Sequence, residues 1–127
     1  MEAVISPRGS FGERRFAPRL NLQVAVRFRE VLTPQKPFVS SVSMDLSARG
    51  MGVETAEFLP KNARLVLLFS LPDLLKPVRA ICRVAWVRER PFGGGCEGGL
   101  EFIEMVPEDR EAVAACVERG TLTQPRP

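Results

Sequence analysis

The sequence predicts an all-β fold, a closed or nearly closed antiparallel barrel of six strands followed by one C-terminal α-helix. Apolar and polar residues alternate in short segments separated by turns rich in Pro and Gly, which is the pattern of half-buried strands. Only the last segment changes to a helical period. Closure of the sheet is expected because it removes the exposed strand edges.

The first two strands are predicted from strict alternation. In the first, the apolar positions are Leu20, Leu22, Val24, Val26 and Phe28. The second follows a Pro-containing turn at residues 33–37, and its predicted core side carries Phe38, Val42, Met44 and Leu46. The predicted solvent side of this strand carries Ser41, Ser43, Asp45 and Ser47.

Four more strands complete the predicted barrel. A short third strand places Met51 and Val53 on one side, and a near-continuous apolar run over residues 64–71 suits a buried fourth strand. The fifth alternates from Val78 to Trp86, which assigns Trp86 to the core. A Gly-rich turn at residues 91–95 then leads into the last strand, at about residues 97–105.

The closing helix is predicted from Val113, Cys116 and Val117, which lie at positions i, i+3 and i+4. Pro107 marks its start, and Gly120 is predicted to terminate it. Residues 1–13 show no period and are predicted to form a flexible leader. The predicted domain therefore spans residues 14–120, with a disordered tail at residues 121–127.

Composition restricts the classes of function. A chain of 127 residues has room for one domain, and its net charge of +3 is too small for coating nucleic acid, so no DNA or RNA partner is expected. Most of the nine aromatic residues fall in core registers, which also disfavours a single-strand binder of the OB type. With no His and no Tyr, the common catalytic triads are excluded, and neither an enzyme nor a metal or cofactor site is expected.

The cysteines and the hydropathy pattern indicate a cytoplasmic protein. The three cysteines are widely spaced without a CxxC pair, so neither a disulfide framework nor a zinc site is predicted. Cys82 and Cys116 share apolar registers and are predicted to be buried and inert. No apolar run approaches the ~20 residues that span a bilayer, and no secretory signal is recognisable.

Two short motifs carry the candidate chemistry. Arg14, Arg15 and Arg19 precede the first strand, and guanidinium groups bind phosphate or a guanine edge bidentately. On its own, this group is better explained by a solvated charge run at a domain entry. The second motif, residues 45–50, places Asp45 and Ser47 on the outer side of the barrel, where a carboxylate accepts from guanine N–H groups. An Asx or Ser turn in which Gly50 supplies a positive φ explains it as well.

Together, Arg15-Phe16-Ala17-Pro18-Arg19 and Asp45-Leu46-Ser47-Ala48-Arg49-Gly50 resemble the RxxxR and [D/N]xSxxG motifs of PilZ domains. Ala85-Trp86-Val87, residues 99–102 and the closing helix are also similar to that family. The resemblance implies a PilZ-type barrel that binds the bacterial second messenger cyclic di-GMP on its outer face. The implied ligand-binding residues are Arg14, Arg15, Arg19, Asp45, Ser47, Gly50 and Gly99.

The resemblance also implies a mode of action. An arginine at the place of Arg14 accompanies a stacked pair of ligands, and Arg49 stands where many members have a small residue, which leaves open an extra contact or crowding. The expected function is a single-domain adaptor that transmits the signal to an unidentified protein target. The alternative is a PilZ-like interaction module that binds no nucleotide.

Overall fold

The computed structural model describes residues 18–72 and 74–123. The predicted leader, Arg14 and Arg15 lie outside the described residues, as do residues 124–127. The elements are β1 (Leu20–Asn21), β2 (Ala25–Glu30), β3 (Val39–Ser47), β4 (Gly50–Thr55), β5 (Arg64–Phe69), β6 (Val78–Glu89), β7 (Cys96–Met105) and α1 (Pro107–Thr123). No helix in the described ranges is long and apolar enough to cross a bilayer.

Six of the strands form a closed antiparallel barrel, as the alternation predicted. The order round the ring is β3-β2-β5-β6-β7-β4, and pairing between β3 and β4 closes it. The seventh strand, β1, pairs with β3 on the same edge as β2. β1 and β2 are therefore two parts of the predicted first strand, and the predicted fold class is confirmed.

Ser43 bridges the break between β1 and β2. Its hydroxyl donates to the Leu22 carbonyl at 2.6 Å and accepts from the Val24 N–H at 2.9 Å, while its own N–H bonds to the Val24 carbonyl at 3.0 Å. The Ser43 side chain is fully buried. The hydroxyl replaces the ladder hydrogen bonds that the interrupted strand loses. Because Ser43 is buried, the prediction that it lies on the solvent side is wrong.

A β-bulge at Met44 explains why alternation failed in β3. Ser43 lies opposite Val53 and Asp45 lies opposite Gly52, so Met44 is an extra residue in β3. An extra residue reverses the inward and outward parity on its two sides. Val42 is accordingly 43% exposed, against the prediction, whereas Leu46 beyond the bulge is fully buried as predicted.

A second bulge corrects the prediction for Trp86. Val84 lies opposite Leu100 and Trp86 lies opposite Gly99, so Ala85 is the extra residue. Val84 points into the core, and Trp86 is 42% exposed on the outer face. Phe58 and Phe92 are also exposed because they lie outside the strand registers. Of the seven aromatic residues that the structure describes, three are buried, so the expectation that most are core residues is not met in this part of the chain.

The core fills the barrel and extends under α1. The Phe69 and Phe102 rings stack with their centroids 6.0 Å apart. Val113, Cys116 and Val117 are buried, as the helical period predicted. Cys82 is buried as predicted, and desolvation raises its pKa to about 12, so almost none of this thiol is the reactive thiolate near neutral pH.

The helix was predicted to end at Gly120, but it continues to Thr123. Residues 121–123 therefore belong to α1 and not to a disordered tail. The glycine is needed for packing, because a Cβ at this position would lie 2.5 Å from Leu20 Cδ1. Its function is close contact between α1 and β1, and the helix passes through it.

Candidate functional site

A row of paired residues crosses the outer face of the barrel and is bare in its middle. Asp45 on β3 pairs with Gly52 on β4, Gly52 pairs with Gly99 on β7, and Gly99 pairs with Trp86 on β6. Adjacent strands lie about 4.8 Å apart, so two positions without side chains separate a carboxylate from an indole. Both glycines are themselves buried in this structure. We call these four residues the glycine platform.

Trp86 lies across the glycine platform because Gly99 has no side chain. A Cβ at Gly99 would lie 2.0 Å from Trp86 Nε1 and 2.6 Å from two further ring atoms. The bulge at Ala85 brings the indole to this face, since without it the same residue would point into the barrel. The result is an indole that covers the Gly99 backbone and is 42% exposed, and its outer surface suits contact with a flat ring.

Asp45 is held at the other side of the platform. Its Oδ1 accepts from the Gly52 N–H at 2.8 Å and from Arg19 Nη1 at 3.1 Å. Among the described residues, both hydrogen bonds to this carboxylate go to Oδ1 and none goes to Oδ2. The hydrogen bond from the Gly52 backbone therefore fixes the position of the carboxylate, which can still accept a hydrogen bond from a ligand.

Arg19 reaches the platform from the segment that precedes β1. Its side chain is 50% exposed, compared with 26% for Asp45. An ion pair at this exposure stabilises a protein by about 0–1 kcal/mol, so an incoming anion displaces it at little cost. Arg19 thus forms only a weak ion pair with the Asp45 carboxylate.

Ser47 and Gly50 lie in the β3–β4 turn beside the platform. The Ser47 hydroxyl, which is buried, donates to the Gly50 carbonyl at 3.3 Å and accepts from the Arg49 N–H at 3.2 Å. These contacts fit the turn interpretation of the motif. Gly50 does not have a positive φ, against that interpretation; glycine is required because a Cβ would lie 2.1 Å from the Leu100 carbonyl oxygen. Arg49 is exposed at the tip of the turn.

Ion pairs border the platform on both sides. Arg90 contacts Glu54 at 3.3 Å and Glu97 at 3.6 Å, and Arg88 also pairs with Glu97. On the other side, Arg83 contacts Glu101 at 2.8 Å. Because Arg83, Arg88 and Arg90 are already paired, these three arginines offer little free positive charge to an anion at the platform.

The structure brings together three of the predicted site residues, Arg19, Asp45 and Gly99, and places Ser47 and Gly50 in the adjoining turn. Trp86 and the Gly52 N–H are members of the site that sequence reasoning did not assign to it. The similarity of residues 85–87 to PilZ domains was the available signal for Trp86, but its apolar register indicated the core.

A family model described as PilZ domain matches residues 13–119. Comparison with curated proteins gives no match. Three solved structures are similar to the chain at low sequence identity. The structure of the Bacillus subtilis inhibitor of motility (MotI/DgrA) is 20% identical with a TM-score of 0.75, over 89% of this chain and 54% of that one. This chain thus spans about half the length of that relative.

The other two structures are isolated domains. The PilZ domain with c-di-GMP of YcgR from Escherichia coli is 14% identical, with a TM-score of 0.64 over 86% of this chain and 92% of that one. The PilZ domain of CeSA from a cellulose-synthesizing bacterium is 16% identical, with a TM-score of 0.55 over 80% and 95% of the two chains. At these identities the likeness shows a shared fold.

Proposed function

Because this chain belongs to the PilZ domain family, we propose that it is a receptor that binds cyclic di-GMP on the glycine platform. The observation that carries the proposal is the platform itself, where Gly52 and Gly99, which have no side chains, lie between the carboxylate of Asp45 and the indole of Trp86. The YcgR domain of the same fold is described with c-di-GMP. Site chemistry and family point to the same ligand.

Each part of a guanine dinucleotide has a matching group at the site. Guanine N1–H and N2–H donate to Asp45, and the O6/N7 edge accepts two bonds from a guanidinium. The phosphates require positive charge, which the paired arginines of the barrel do not supply and which Arg15 and Arg19 bring. Ligand binding then exchanges the Arg19–Asp45 ion pair, 3.1 Å long, for contacts from both residues to the ligand.

We further propose that the protein acts as an adaptor without catalysis. When the arginines close on the ligand, the segment that precedes β1 is drawn onto the platform, and the outer face of the barrel changes in shape and charge. A protein target that distinguishes the two surfaces receives the signal. The differential affinity of that target for the two states sets the strength of the response.

Calorimetric titration with cyclic di-GMP tests the proposal, with GTP and a single-stranded oligonucleotide as controls. We expect saturable binding of cyclic di-GMP alone. No binding by the folded protein would indicate the interaction module that binds no nucleotide. Preferential binding of the oligonucleotide would instead indicate a single-strand binder.

A further inference from the structure

A second surface lies on the side of the barrel opposite the glycine platform. Round the six-strand ring, β5 is three strands from β4 in either direction. Two rows of paired residues cross the outer face of β2, β5 and β6. We call their six members, three arginines and three apolar residues, the β5 face: Arg27, Leu68 and Arg79 in one row, and Arg29, Val66 and Ile81 in the other.

The β5 face carries positive charge that its neighbours do not neutralise. Whereas Arg83, Arg88 and Arg90 beside the platform all pair with glutamates, no carboxylate of the described residues lies within ion-pair distance of the three arginines on the β5 face. Arg27 and Arg29 instead lie over the Phe38 ring, 5.6 and 4.3 Å from its centroid.

Among the described residues, two acidic groups lie at the border of this face that β7 and α1 form. Glu104 lies opposite Ile81, and the Asp109 carboxylate accepts from the Arg79 backbone N–H at 3.4 Å. They limit the cationic surface on the side of β7 and α1. The positive charge of this face is therefore carried by Arg27 and Arg29 on β2 and by Arg79 on β6.

Apolar side chains lie between the arginines. Val66 points outward but is only 8% exposed, and Leu68 and Ile81 are half-buried on the same face. Arg29 Nε is buried with no hydrogen-bond partner among the described residues, so this guanidinium retains an unused donor beside the apolar strip. An apolar centre flanked by arginines is the composition of protein–protein interfaces.

We propose that the β5 face docks an acidic segment of a partner protein, one that carries apolar residues between its carboxylates. Charge complementarity selects the acidic groups, and the half-buried Leu68 and Ile81 select a protein rather than a nucleic-acid backbone, which has no apolar side chains. This inference rests on the proposed function, since an adaptor needs a target. Because the two surfaces are opposite, ligand and partner bind at the same time.

Fluorescence anisotropy with a labelled peptide of alternating Glu and Leu tests the proposal, beside the same peptide with Gln for Glu. We expect the acidic peptide alone to bind, more weakly as salt rises. The double variant Arg27→Glu/Arg79→Glu should weaken binding at least about tenfold, and Leu68→Ser should weaken it without changing charge. The control Lys61→Glu/Arg110→Glu makes the same charge change elsewhere and should bind like the wild type.

Several results would overturn the inference. Failure of the acidic peptide to bind, or equal weakening by the control variant, removes the β5 face as the docking site. If a single-stranded oligonucleotide or phosphatidylglycerol vesicles bind more tightly than the acidic peptide, the proposal that the partner is a protein is contradicted. Cyclic di-GMP titration of the wild type and of the same variants separates the two proposals. A wild type that does not bind cyclic di-GMP contradicts the proposed function, whereas the peptide measurement still shows whether the β5 face binds an acidic segment.

Discussion

At the scale of single residues, the site depends on an exchange of partners at Asp45. In the free protein, its Oδ1 is shared between the Gly52 N–H and Arg19. The backbone bond keeps the carboxylate in place, so the ligand has to displace only the exposed arginine. Most of the energy of a new charge-assisted contact from Arg19 therefore remains available for binding.

We expect Arg19→Ala to weaken cyclic di-GMP binding by about ten- to a hundredfold, because it removes a charge-assisted contact worth ~1.5–3 kcal/mol. Arg15→Ala should have a similar effect. Titration calorimetry measures both, with thermal unfolding as the check on the fold. The exposed Arg110→Ala on α1 is the control. Unchanged affinity in both Arg15→Ala and Arg19→Ala would contradict the assignment of the arginine motif to the ligand.

Gly99→Ala should displace Trp86, because the new Cβ would lie 2.0 Å from Nε1. Trp86 is the sole tryptophan, so the fluorescence emission of the protein reports its surroundings directly. We expect a changed emission maximum together with weaker binding of cyclic di-GMP. At Gly94 the nearest atom to a Cβ is 3.5 Å away and φ is negative, so Gly94→Ala is the matched control. Normal emission and affinity in Gly99→Ala would show that the indole is not part of the site.

At the scale of strands and helices, two β-bulges separate what sequence alternation predicts from what it does not. The number of strands, the inward positions of β4 and the buried face of α1 follow from periodicity. Met44 and Ala85 carry no sequence mark of a bulge, yet each reverses the parity of its strand. The prediction that Asp45 faces outward is correct because, beyond the bulge at Met44, Leu46 faces inward and its neighbour faces outward. Trp86, which follows the bulge at Ala85, was assigned to the wrong face.

Ser43→Ala should lower the free energy of unfolding by about 1–3 kcal/mol, because it leaves the Leu22 carbonyl and the Val24 N–H without their buried partner. Urea unfolding measures the change. Ser40→Ala in the same strand is the matched control, since Ser40 is exposed and should change stability by less than about 0.5 kcal/mol. Equal stability of the two variants would show that the β1–β2 break does not need the hydroxyl.

At the scale of the whole molecule, closure of the barrel sets the relation between its two surfaces. A six-strand ring places β4 and β5 opposite each other. The platform and the β5 face share only strand β6, where Trp86 lies five residues or more from Arg79 and Ile81, so the two surfaces have no residue in common. Periodicity predicted the ring, but no local pattern predicts which strands become opposite. The pairing order does so, and it arises from contacts distant in sequence. The position of the β5 face was therefore accessible only from the structure.

The arginine motif also predicts how many ligands each chain binds. Two stacked cyclic di-GMP molecules bring four phosphate charges together, and the barrel's own arginines near the platform are already paired. A third guanidinium offsets this repulsion and stacks on the additional guanine. Through the family resemblance, Arg14 is the residue that supplies it.

We therefore predict two ligands per wild-type chain and a shift towards one in Arg14→Leu. Titration calorimetry gives the ratio for each protein, and the wild type should lose more affinity with rising salt than the variant, because it gathers more charge. Arg110→Leu makes the same substitution on α1 and should keep the wild-type ratio. A wild-type ratio of one, or a ratio of two that survives in Arg14→Leu, would show that Arg14 does not determine how many ligands bind.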